Sequence, residues 1–127
     1  MKIWVDDVRP APKGYVWCKS VNDAKQTILS QEKLFNSACD SARHHMFHDN
    51  YQYVEEYLAE AKRVKIDLID VDHDAGAFAG DGGDFIKILD WLEETGREYP
   101  IRIHSANPVG IANMRRIIER NGWKEIR

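Results

Sequence analysis

Three short apolar runs of this chain each end in chemically reactive polar residues: IWVDDVRP from Ile3 to Pro10, LIDVDHDAG from Leu68 to Gly76, and IRIHSANP from Ile101 to Pro108. If the runs are parallel strands of one sheet, their C-terminal ends share one edge, which is where open α/β folds build their sites. That edge then collects Asp6, Asp7, Asp72, His73, Asp74, His104, Ser105 and Asn107.

The segments between these runs support such a sheet. Lys2 to Val5 is a β-branched and aromatic strand that stops near Asp6, and RPAPKG, from Arg9 to Gly14, is a loop because its prolines lack amide donors. Tyr15 to Cys18 is a second strand. Ser20 caps a helix that carries Val21, Ala24, Ile28 and Leu29 on one face and is expected to run to about Ser30, with Asp23 completing a weak capping box. Gln31 to Lys65 holds two further helical patterns, Lys33 to Cys39 and Tyr51 to Arg63, parted by the polar ARHHMFHDN. Ile66 to Asp72 reads as the central strand, although Asp67 and Asp70 are unusual inside one.

In the next unit Asp84 is expected to cap a helix bearing Phe85, Ile88, Leu89 and Leu92, with Gly96 as its left-handed terminator. Ile101 to Ile103 is another strand, Asn107 and Pro108 open the last helix, and Ala112, Met114, Ile117 and Ile118 carry it to Gly122. Trp123 to Ile126 forms a final strand. Strands alternating with helices at this spacing predict an α/β fold: a five-stranded parallel sheet with helices on both faces, in three layers. A chain of 127 residues, 43 % hydrophobic, is the size of one domain, with Trp4, Trp17, Trp91 and Trp123 expected in its core.

The net charge of -3 gives no global reason to bind nucleic acid, and no DNA sequence recognition is expected. Arg115, Arg116, Arg120, Lys124 and Arg127 make the C-terminal end locally basic, but helix C-termini favour cations anyway. With neither a signal-peptide core nor a membrane-spanning run, the chain reads as a cytoplasmic protein. Cys18 and Cys39 are too few and wrongly spaced for a disulfide framework or a cysteine-based zinc site, and are expected as reduced thiols.

The double aspartate after the first strand, the aspartate ending the central strand and Ser105-Ala106 after the next resemble the receiver domains of two-component signalling. There the acidic pair binds magnesium and the central aspartate accepts phosphate. The finer motifs VDDVRPAPKGYVW, DVDHDAG, GGDF and HSANPVGIANM resemble more closely the cyclic-phosphate processing receiver domains, a group linked to cyclic phosphate ends in RNA repair. The resemblance implies a receiver-like fold across nearly all of the chain except Gln31 to Lys65, which stands as a helical insertion serving as lid, interface or extra core. Two departures matter. The proline-rich loop runs straight into the Tyr15 strand, so the first helix of a receiver is replaced by a loop, and the chain ends at Arg127 without the lysine that binds the phosphoryl group in a receiver.

The residues carry their own chemistry. Carboxylates converging on one edge repel each other, and a divalent cation is the productive remedy. Asp6, Asp7 and Asp72 offer hard oxygen ligands for Mg²⁺ or Mn²⁺, and three aspartates ending strands cannot all be caps. His73 and His104 are candidate acid and base, with Asp74 beside them as a candidate catalytic group or a cap. Arg9, Ser105, Asn107 and the amides opening the last helix are candidate phosphate ligands. Asp81 is expected to be structural. His44, His45 and His48 have helical metal-ligand spacing but no carboxylate partner, so a solvated face is expected. Gly76, Gly80, Gly82 and Gly83 form a loop beside the acidic edge that either closes on a substrate or makes a wide turn.

The reading favoured is a metal-dependent phosphoesterase acting on a cyclic-phosphate nucleotide or RNA end. A non-catalytic receiver-like module that binds phosphate, nucleotide or protein is the alternative, and a true Asp72 phosphoacceptor is less favoured because the lysine is missing.

Overall fold

The computed structural model describes residues 1–48 and 51–127. Its strands are β1 (Lys2–Val5), β2 (Tyr15–Cys18), β3 (Leu68–Val71), β4 (Ile101–Ile103) and β5 (Glu125–Ile126). Its helices are α1 (Val21–Phe47), α2 (Val54–Val64), α3 (Ile86–Glu94) and α4 (Pro108–Asn121), with single helical turns at Tyr51–Tyr53 and Gly76–Phe78. All strand pairs are parallel, in the order β2-β1-β3-β4-β5. This is the receiver-like α/β fold expected, with the first helix replaced by a loop and the short strand β2.

Chain direction explains the layering. The connections from β2 to β3, β3 to β4 and β4 to β5 all advance the same way across the sheet, so right-handed crossovers put α1, α3 and α4 on one face. There Ile3, Val5, Ile69, Val71 and Ile101 meet Val21, Ala24 and Ile28 of α1, Phe85 to Leu92 around α3, and Met114, Ile117 and Ile118 of α4. Only the step from β1 to β2 runs backwards, and its crossover belongs to the opposite face. It contains the loop at 6–14 and no helix. The expectation of helices on both faces is therefore met in part: the helices of the core share one face.

Two tryptophans are accordingly displaced from the expected core. Trp91 and Trp123 pack against it. Trp4 and Trp17, in register with each other, lie with Tyr15 on the opposite face, because side chains alternate along a strand and Ile3 and Val5 take the core side.

The first helix is longer than its pattern suggested. Instead of stopping near Ser30, α1 runs on through the second helical pattern to Phe47. No glycine or proline interrupts Val21–Phe47, and the change in pattern marks a change of partner rather than an end. At about 1.5 Å per residue its 27 residues outreach the sheet. Glu32 meets Arg97 and Tyr99, just before β4, so the rest of α1 extends past the N-terminal edge. There α2 packs back along it, with the small Ala38, Ala42 and Ala61 buried in a close helix pair. His45 stacks on Tyr57 of α2 with ring centroids 5.1 Å apart. This pair lies at the end of the sheet remote from Asp6 and Asp72, which removes the lid reading for it.

Chain ends and caps follow sequence chemistry. Ser20 accepts from the Asp23 amide at 3.0 Å, Asn107 accepts from the Gly110 amide at 3.1 Å, and Gly122 ends α4 at φ 67°. Among the described residues no helix is long and apolar enough to cross a membrane.

Cys18 and Cys39 are free. Burial pushes the Cys18 thiol up to about 11, against the opposing hydrogen bond to Thr27. In native protein at pH 8, an aromatic disulfide reagent is expected to titrate Cys39 alone, with Cys18 reacting only on unfolding. Two fast thiols in native protein would contradict the packing of β2 under α1.

Candidate functional site

The strand register builds the site. Val5 pairs with Val71, and Val71 with Ile103. The ladder continues one residue further, with the Asp72 amide donating to Val5 O at 2.9 Å and the His104 amide to Val71 O at 3.0 Å. Asp6, Asp72 and His104 therefore stand abreast at the C-terminal edge. Asp7 joins them, and ligand oxygens of Asp6, Asp7 and Asp72 all lie within 4.8 Å of one another.

Asp6 is 1 % exposed and fully partnered. Its Oδ1 accepts from the Val8 and Arg9 amides at 2.9 and 2.8 Å, while Oδ2 faces His104 Nε2 at 3.0 Å and Arg9 Nε at 3.3 Å. Burial alone would raise its carboxyl, but the two amides and His104 outweigh that and hold it below its ordinary value. Asp72 is the opposite case. Burial raises its carboxyl and the charge of Asp6 raises it further, against the His73 amide, His104 and Arg9. Three carboxylates this close make a hard-oxygen donor set whose mutual repulsion, offset in part by His104 and Arg9, a divalent cation could relieve.

His104 is wedged between two buried carboxylates. Its Nδ1 lies 2.6 Å from Asp70 Oδ1, its Nε2 faces Asp6, and its ring stacks on Trp4 at 3.7 Å and 5°. Asp70, 2 % exposed, is the residue that sequence reasoning missed. The signal was present, since an aspartate inside a buried strand needs a partner, but the strand alone did not say which.

His73 has a different setting. Its Nδ1 lies 2.8 Å from Asp74 Oδ1, its amide donates to Asp72 Oδ1 at 2.8 Å, and its carbonyl accepts from the Phe85 amide at 3.0 Å. The ring lies over Gly110 of α4, where a Cβ would fall 2.4 Å from its Cγ. Asp74 thus orients a histidine and caps nothing. Gly76 makes a similar close approach, since a Cβ there would meet Asp7 Oδ2 at 2.3 Å.

The remaining candidates divide. Arg9 reaches Asp6 with its side chain 57 % exposed, beside the acidic edge. The Ser105 hydroxyl accepts from the Asn107 backbone amide at 3.1 Å, and the Asn107 side-chain oxygen Oδ1 is committed to capping α4. Asp84 is not the cap expected: α3 begins at Ile86, and Asp84 Oδ1 instead accepts from the Ala75 amide at 3.1 Å, closing the glycine loop on itself. Asp81 is structural as expected, held by the Ser20 hydroxyl at 2.6 Å and the Asn22 amide group at 3.0 Å, which depress its carboxyl. The glycine loop is thereby pinned to the start of α1, which favours the wide turn over the closing lid.

The C-terminal basic residues are largely paired, Arg115 and Arg127 with Glu125, and Arg120 with Glu93. His44 and His48 sit on the exposed flank of α1, and among the described residues the aspartate trio alone groups three metal-ligating side chains.

A parallel sheet in this order, with aspartates ending the first and central strands on one shared edge, defines a receiver-like α/β domain. The family model of the cyclic-phosphate processing receiver domain matches residues 1–120, and the chain belongs to that family. Neither the curated proteins nor the solved structures include a match to it.

Proposed function

We propose that this domain opens cyclic phosphodiesters by metal-assisted hydrolysis, with a terminal ribose cyclic phosphate on RNA or a small nucleotide as substrate. The observation that carries this reading is the meeting of three aspartates within 4.8 Å beside Arg9 and His104, in a chain whose family is named for cyclic-phosphate processing. Asp6, Asp7 and Asp72 are the residues that would hold Mg²⁺ or Mn²⁺. Such a cation, when bound, polarises a phosphoryl oxygen and lowers the pKa of water beside it.

Ring opening adds water across one P–O bond. The water oxygen bonds to phosphorus, its proton passes to a base, and the departing ribose oxygen takes up a proton. His73 is the better placed of the two histidines to move these protons: Asp74 fixes Nδ1 and with it the tautomer, so that Nε2 is the exchanging atom. Arg9 neutralises the non-bridging oxygens, and the Ser105 hydroxyl and the Asn107 side-chain amide supply hydrogen bonds. His104 bridges Asp6 and Asp70, and to exchange a proton it would have to release one of them.

That closed bridge favours one second reading, a non-catalytic module that binds phosphate, nucleotide or a partner protein. The two separate in an assay of cyclic nucleotides and cyclic-phosphate oligonucleotides with Mg²⁺ or Mn²⁺. Linear product that disappears on chelation is expected; cation binding without product would support the binding module.

A further inference from the structure

Among the described residues no core helix covers the second face of the sheet, and that face runs directly into the acidic edge. Alternation along the strands places Lys2, Trp4 and Asp6 on this face with Tyr15, Trp17 and Lys19, and Asp70 and Arg102 continue the row of Trp4. The surface is aromatic and basic. Lys19 Nζ lies 4.4 Å over the Trp17 ring and Lys2 Nζ 5.5 Å over Tyr15, so these half-buried rings present their faces to cations rather than to an apolar layer. Tyr15 meets Trp4 edge-on at 5.9 Å, and Trp4 stacks on His104.

Both indoles are fastened to the backbone of the site. Trp17 Nε1 donates to Asp6 O at 2.7 Å and Trp4 Nε1 to Arg9 O at 2.9 Å, so the rings are held rigidly against the loop that carries the acidic pair. Cations surround them: Lys2 and Lys19, Arg102 with 51 % of its side chain exposed, and Arg9 at the site itself. Asp70, the carboxylate in the row of Trp4, is buried, bound to His104 and 4.0 Å from Arg102 Nε, so Lys2 and Lys19 are the cations of the face without a carboxylate partner among the described residues.

We propose that this face is a stacking platform for the bases of a single-stranded nucleic acid whose terminal cyclic phosphate enters the acidic edge. The phosphate end of this inference rests on the ring-opening reading; the strand rests on the face. Bases offer π surfaces to Trp17 and Tyr15, and the displaced lysines pair with phosphates. An apolar helix would instead desolvate these cations without neutralising them. Stacking is tolerant of sequence, consistent with a chain whose net charge gives no long-range pull on nucleic acid.

The test is binding of a labelled short oligoribonucleotide ending in a 2′,3′-cyclic phosphate, followed by anisotropy and tryptophan quenching in excess EDTA to prevent turnover. Native protein is expected to bind with quenched tryptophan fluorescence and with affinity that falls as salt rises. Trp17→Leu is expected to weaken binding about tenfold, within the range for one stacked base. Lys19→Glu, a surface change that keeps the test intact if Trp17→Leu misfolds, is expected to weaken it several-fold and to flatten the salt dependence. Absence of binding at low salt, equal affinity in Lys19→Glu, or a native dimer that these substitutions dissociate would overturn the platform. Strand binding without any turnover of cyclic phosphates would sustain the platform and remove the ring-opening reading. Turnover of a cyclic mononucleotide without strand binding would remove the platform alone.

Discussion

Asp72→Asn is expected to lower ring opening by about 10³-fold, the scale on which single preorganised electrostatic groups act, while the fold stays intact. The substitution keeps the shape and an oxygen that can still accept from the His73 amide. It removes a charge that the proposed cation site would need. It also removes a repulsion: burial and the charge of Asp6 raise the Asp72 carboxyl in the folded state. A carboxyl raised on folding binds its proton more tightly in the native state than in the unfolded one. Its contribution therefore falls as pH climbs through and above the unfolded value, and at neutral pH the metal-free aspartate is a burden. Metal-free Asp72→Asn should thus be at least as stable as the parent at neutral pH by thermal unfolding. Turnover equal to the parent's would contradict the role given to Asp72, and collapse of the fold would contradict its placement at a strand end.

Phe85→Ala is expected to cost about 3–5 kcal/mol of stability, the range for deleting a buried aromatic side chain. Phe85 is fully buried in the core between α3 and the sheet, and its amide holds the carbonyl of His73. The effect should therefore fall on stability, as a lower urea midpoint and a lower thermal midpoint, while the backbone amide of residue 85, which alanine retains, keeps its bond to the His73 carbonyl. Phe85→Leu, which retains most of the apolar volume, should lose much less of both. A stability change in Phe85→Ala below about 1 kcal/mol, typical of surface positions, would contradict its place in the core.

Where a pattern was local, the sequence disclosed it. Strands β1, β2 and β4, the Ser20 and Asn107 caps, and the Gly122 terminator each depend on a few adjacent residues, and the structure has them where the pattern put them. The aspartate edge was legible because parallel strands ending in polar residues have only one place to bring those ends. What depended on partners was not. A stop of α1 near Ser30 is what the fading apolar stripe implies, but the helix exchanges the sheet for α2, with Ala38 and Ala42 as its new contact. Tryptophans favour the core, which is the expectation for Trp4 and Trp17, whereas the loop between β1 and β2 leaves their face without a core helix among the described residues. The bond from Asp70 to His104 joins residues distant in sequence, and only the register of β3 against β4 brings them together.

The most direct test of the central claim is phosphorus NMR of a 2′,3′-cyclic nucleotide incubated with the protein and Mg²⁺, then with EDTA added before substrate in a parallel sample. Conversion of the cyclic phosphate resonance to that of a phosphate monoester, with Mg²⁺ and not with EDTA, is the predicted result. An unchanged cyclic resonance in a sample where calorimetry shows Mg²⁺ bound to the aspartate edge would contradict it.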